Sequence, residues 1–101
     1  MTDDIQKRKV CGIYRIFTID EGGNQRSYVG QAKDIRDRWS QHIKKMCGVL
    51  AADNQKFYSH VEPYNAHFEI IEECKESELD TKEHYWISYY NGVSDGYNTK
   101  N

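Results

Sequence analysis

The chain has 101 residues, with 38% hydrophobic and 30% charged, and a formal net charge of −2. That length suits one small domain with a single core. The acidic balance argues against tight nucleic-acid binding by this domain alone, because autonomous binders are usually basic. No run is apolar and long enough to span a bilayer, and the polar start MTDDIQKRK lacks the apolar stretch of a secretion signal, so a cytoplasmic setting without membrane partners is expected.

Residues 1–9 read as a flexible tail and 10–101 as one domain, since Pro63 is the single proline and no linker or repeat interrupts the chain. Val10 to Ile19 is rich in Ile, Tyr, Phe and Thr and predicts a strand. Asp20 to Asn24 carries a Gly-Gly turn, and Arg26 to Gly30 is the returning arm of a hairpin. Asp34 is placed to cap a helix on which Ile35, Trp39, Ile43 and Met46 share one face, with a stop at Cys47-Gly48. Asp53 to Val61 predicts a short helix burying Phe57 and Val61, and His67 to Cys74 a third strand. Ser77 is expected to cap a last helix running to Asn91-Gly92, with Leu79, Trp86, Ile87 and Tyr90 as its apolar face. The fold class is therefore α+β, a small three-stranded, mostly antiparallel sheet flanked by helices.

Several residues do not fit a purely structural pattern. Glu83 falls inside the apolar stripe of the last helix, where a carboxylate needs compensation; a salt bridge, access to water, a metal and a catalytic role all remain open. Arg38 and His42 are one turn apart at the edge of the apolar face of the first long helix. Each alone suits a rim residue, but together they suit a phosphate site, a fixed cation beside a proton-transferring imidazole. Between Lys33 and Lys45 lie five basic residues against two acids, a local excess that includes Arg36. Tyr14 and Tyr28, on adjacent arms, can each donate or accept a proton, and Gly30 permits close backbone approach. Cys11, Cys47 and Cys74 have no CxxC spacing and read as small hydrophobes in a reducing environment; with the four histidines they match no zinc pattern.

Gly12-Ile13-Tyr14, Tyr28-Val29-Gly30, the helix bearing Arg38 and His42, the Glu83-His84-Tyr85-Trp86 stretch and Gly96-Tyr97-Asn98 together resemble the GIY-YIG nuclease family, over about Val10 to Asn98. The tyrosines are 14 residues apart, a few more than is usual there, which predicts a longer loop at Glu21 to Ser27. Gln31 stands where the repair branch places a lysine, which favours the homing or phage-like branch.

The resemblance implies a metal-dependent DNA endonuclease domain. Tyr14 would activate or orient water, Tyr28 and His42 would tune its proton, Arg38 would clamp the scissile phosphate, and Asn98 would orient the site through its amide. Lys33, Arg36 and Gly30 would meet the substrate, and Glu83 would hold one Mg²⁺ (or Mn²⁺) ion. A phenol ionises near pH 10, so Arg38, Lys33 and the metal are expected to lower that value. A separate DNA-targeting domain or partner protein is expected to supply the address. The alternatives are a non-catalytic nucleic-acid or protein interaction module on the same fold, and a structural domain whose motif is coincidental.

Overall fold

The computed structural model describes residues 9–51, 54–90 and 96–98. Strand β1 (Gly12–Ile19) runs up the middle of a three-stranded antiparallel sheet, between β2 (Gln25–Ala32) and β3 (His67–Glu73). Helix α1 (Ile35–Met46) and the short α2 (Gln55–Tyr58) follow the hairpin, and α3 (Leu79–Tyr89) follows β3. The sheet separates two apolar clusters. On one face Tyr14 and Ile16 pack with Ile35, Phe57, Val61 and Tyr97; on the other Ile13 and Val29 pack with Leu79 and Ile87. With both faces covered, β1 is buried over its first five residues, which is why its sequence is almost continuously apolar and aromatic rather than alternating.

The hairpin is tighter than expected. Its arms stay paired from Gly12 opposite Ala32 out to Ile19 opposite Gln25, so Gln25, Arg26 and Ser27 belong to β2 rather than to a loop. Asp20 holds the turn by accepting hydrogen bonds from the backbone N–H groups of Gly22 (2.9 Å) and Asn24 (2.8 Å). The additional residues between the tyrosines therefore lengthen the paired ribbon.

Asp34 caps α1 as the sequence predicts, accepting from the Asp37 N–H at 3.3 Å. The buried face differs from the expected one. Ile43 is 39% exposed, while His42 is only 6% exposed and fills the inward position between Trp39 and Met46. Both sets of positions satisfy helical spacing, and a hydropathy pattern does not choose an imidazole for the core.

Helix α2 is one turn long, shorter than the Asp53 to Val61 span, although Phe57 and Val61 are buried as expected. Ser77 is not the cap of α3. A 3₁₀ turn, Glu76–Glu78, precedes the helix, and the Glu78 carboxylate accepts from the Lys75 N–H at 3.1 Å. The helix closes at Tyr89, with the Tyr90 N–H donating to the Trp86 carbonyl at 3.0 Å; Asn91-Gly92 lie outside the described residues.

Arg15 is a buried cation that the sequence pattern did not flag. It is 8% exposed, pairs with Glu69, and donates to Gln25 Oε1 at 2.9 Å and Ser27 Oγ at 3.1 Å. Its guanidinium lies 3.7 Å from the centroid of the Phe17 ring.

Candidate active site

The site begins with a steric fit across the hairpin. Tyr14 lies opposite Gly30, and a Cβ at Gly30 would fall 2.6 Å from the Tyr14 hydroxyl oxygen. Only a glycine leaves room for the phenol there. Gly12 answers a second crowding, since a Cβ there would lie 2.1 Å from the Glu72 carbonyl oxygen on β3. The glycine of each motif thus lets the strands approach, and Gly30 makes room for the tyrosine of the other motif.

The Tyr14 hydroxyl reaches α1, where its oxygen lies 2.8 Å from His42 Nε2. The other ring nitrogen, Nδ1, lies 2.6 Å from the Tyr58 hydroxyl on α2. His42 is therefore held between two phenols. Tyr28 stacks on Phe57 at 4.9 Å and meets the His42 ring edge-on at 5.4 Å. Tyr14 has no solvent exposure. Burial pushes its phenol well above the ordinary value, and the neighbouring Tyr28 pushes the same way, while Arg38 opposes them. Among the chain's own groups, desolvation outweighs the guanidinium. Lys33 pairs with Glu76, at 3.3 Å.

Arg38 links two cavities. One, of about 110 Å³, is walled by Tyr28, Gln41, His42, Lys45, Phe57 and Tyr58 along with Arg38 itself. The other, of about 580 Å³, is bounded by Gln31, Lys33, Asp34, Asp37 and Arg38. Arg38 is exposed, as a rim arginine would be, and borders both. Arg36 is also exposed but lines neither cavity.

Glu83 approaches from the opposite layer. It is partly buried on α3, and its Oε1 accepts from Gln31 Nε2 at 3.2 Å; the same amide donates to Asp80 Oδ1 at 2.7 Å. Burial raises the Glu83 carboxyl above its ordinary value, the Gln31 hydrogen bond opposes this, Asp80 adds to it and Arg38 opposes it again. Among the described residues no cation lies within ion-pair distance of Glu83, so neither a salt bridge nor full exposure resolves its position. A desolvated carboxylate held by one neutral amide fits a hydrated divalent cation, and Mg²⁺ characteristically takes one protein carboxylate and completes its shell with water and phosphate. No group of three or more candidate metal ligands occurs among the described residues, so a closed all-protein metal cage is absent there.

Asn98 stands behind the site rather than in it. Its side-chain amide pairs with the backbone of Val29, accepting from the N–H at 3.0 Å and donating to the carbonyl at 2.9 Å. Val29 separates Tyr28 from Gly30, so this amide fixes the outer edge of β2 exactly where two site residues flank it. Tyr97 adds a backbone bond to the Ser27 carbonyl at 2.9 Å. Sequence reasoning missed Tyr58 and Gln41 on the cavity wall and the pairing of Gln31 with Glu83, and it marked Lys45 only as part of the basic run. Tyr58 sits on a four-residue helix that offers no periodicity to mark which side faces the site.

The class that this hairpin, arginine and carboxylate define is matched by a family model, GIY-YIG catalytic domain, over residues 10–98, and the chain belongs to that family. It is 31% identical over 88 residues to intron-associated endonuclease 1 of Enterobacteria phage T4, covering 82% of this chain and 35% of that protein. The chain thus spans about a third of the length of that relative. It superposes on the catalytic domain of homing endonuclease I-TevI with a TM-score of 0.74 and 26% identity, over 90% of this chain and 99% of the other. A glutamate-to-alanine mutant of the intron endonuclease I-TevI catalytic domain matches with a TM-score of 0.68 and 28% identity, over 90% of this chain and 94% of the other.

Proposed function

We propose that this domain hydrolyses a DNA phosphodiester bond, one strand at a time, with a divalent metal held by Glu83. The observation that carries the reading is the meeting of three kinds of chemistry at one edge of β2. Arg38 lines one cavity together with phenols and an imidazole, and a second together with Gln31, the amide that holds the partly buried Glu83 carboxylate. Arg38 supplies a permanent, planar charge for the non-bridging oxygens of a phosphate. When bound, the ion would supply Lewis-acid polarisation of the phosphate and charge stabilisation at the leaving oxygen.

The two phenols divide their labour by burial. Tyr14 has no access to solvent and keeps its proton, so it braces His42. Tyr28, on the cavity wall beside Arg38, is the phenol that water can reach, and it accepts a hydrogen bond that orients the attacking water. The oxygen of that water bonds to phosphorus as the 3′ oxygen leaves; the water gives up one proton and the departing oxygen takes one, both exchanged with solvent. Glu83, Arg38 and Tyr28 thus surround the scissile phosphate, while Asn98 keeps β2 in place. The 35% coverage of the phage relative and the net charge of −2 support a separate targeting domain or partner that brings this domain to DNA.

The test is nicking of supercoiled plasmid at low salt with Mg²⁺. Wild type nicks and Glu83→Ala does not; Tyr28→Phe loses at least about a hundredfold in rate, and Tyr14→Phe loses less. Equal cleavage by wild type and Glu83→Ala would remove the metal-ligand role, and a smaller effect at Tyr28 than at Tyr14 would reverse the assignment of the phenols.

A further inference from the structure

The environment of His42 on its second nitrogen is unexplained by any of the roles above. We infer that Tyr58 is a positioning residue that fixes His42 as the tautomer protonated at Nδ1. This rests on the catalytic reading only for its consequence, not for its geometry.

A neutral imidazole carries one N–H, so one ring nitrogen donates and the other accepts. Here each nitrogen faces a phenol, Tyr14 at 2.8 Å from Nε2 and Tyr58 at 2.6 Å from Nδ1. A hydroxyl suits either role, so the ring by itself is undecided. The surroundings of the two phenols decide it. Tyr14 is enclosed, and Nε2 is the hydrogen-bond partner of its hydroxyl among the described residues, so donation from the O–H to Nε2 is the arrangement that leaves no buried hydroxyl hydrogen unsatisfied. Tyr58 is only partly buried and lines the 110 Å³ cavity, so its own O–H has polar groups and water to turn to while its oxygen accepts from Nδ1–H. The order of donation then runs from Tyr14 to His42 and from His42 to Tyr58.

Packing makes this arrangement stiff. The Tyr58 ring lies 4.7 Å from Phe57, which stacks on Tyr28, and 6.0 Å from the His42 ring. Lys45 Nζ lies 6.0 Å from the centroid of the Tyr58 ring, at the outer limit of a cation–π contact. With Nδ1–H engaged, Nε2 is left to accept the hydrogen bond from the Tyr14 O–H. The Tyr14 ring is thereby held at the depth that Gly30 permits, and Tyr28 keeps its stacking partner and its place on the cavity wall.

The experiment is long-range ¹H–¹⁵N correlation NMR of the imidazole rings at about pH 8, where an ordinary histidine is neutral. The His42 resonances are identified by their loss in His42→Gln. In wild type, His42 shows a protonated Nδ1 and a bare Nε2. Tyr58→Phe, which removes one oxygen and keeps the ring, shifts His42 toward the Nε2-protonated form. It also slows plasmid nicking about tenfold, the value of one hydrogen bond, without weakening DNA binding measured by anisotropy. A wild-type His42 protonated at Nε2, or a tautomer unmoved by Tyr58→Phe, overturns the assignment. Tyr58→Phe nicking at the wild-type rate overturns its consequence for the reaction. If wild type does not nick under any condition, the nuclease reading falls and the NMR result still decides the tautomer.

Discussion

Tyr14 shows how one residue can be legible in kind and misread in state. Its place in the first motif marks it as a site residue, but exposure is a property of three dimensions. The hydrogen bond to His42 and the close fit against Gly30 remove it from water, so burial pushes its phenol up where the sequence alone suggests lowering. That has a consequence for stability. An unfolded phenol ionises near pH 10, and the buried one does so only at higher pH. Between those values the folded chain holds one more proton than the unfolded chain, so stability falls as pH rises, by up to about 1.4 kcal/mol per pH unit from this residue. Urea melts at about pH 9 and pH 11 should therefore show a steeper loss for wild type than for Tyr14→Phe. Parallel losses in the two proteins would mean that the phenol titrates normally.

At the scale of elements, the hairpin and both long helices could be read from periodicity and turn residues, while the choice of face could not. On α1 the pattern admits either Ile43 or His42 facing inward, and the polar one wins because Tyr14 and Tyr58 satisfy both of its nitrogens. The start of α3 was misplaced because Ser77 is a common cap residue, whereas a glutamate three residues after Lys75 closes the turn here. Glu83 is the opposite case. Its helical spacing alone marked it as an acid within an apolar stripe, and the structure leaves it partly buried against Gln31. Arg15 was illegible because its compensation comes from three strands. Replacing it with alanine removes the bonds to Gln25, Ser27 and Glu69 and the stacking on Phe17. Glu69, about half exposed, returns to water, so the loss is limited to about 2 kcal/mol, or roughly ten degrees in Tm. The nicking rate per folded molecule stays unchanged, because the partners of Arg15 are Gln25, Ser27, Glu69, Phe17 and Tyr90, none of them a site residue. Calorimetry beside the plasmid assay checks both halves of that statement.

For the whole molecule, the decisive facts are size and charge. One domain carries one Arg38 and one Glu83, enough for a single phosphate. Plasmid treated with this domain should pass through an open-circular form before any linear product, with nicked circles accounting for most of the early product. Linear DNA appearing with no nicked intermediate would instead require two copies acting together. The net charge of −2 gives little long-range attraction to a polyanion, although a local basic excess lies around α1. The phage relative is about two and a half times as long, which suits the proposal that the address lies outside this domain.

The bond pair between Asn98 and Val29 spans 69 residues of sequence. A ribosome releases the hairpin and α1 first, with both tyrosines, Arg38 and His42 already made, yet the outer edge of β2 has no partner until Tyr97 and Asn98 emerge. The strand that carries Tyr28 and Gly30 therefore gains its outer fastening only after residues 97 and 98 have been added to the chain.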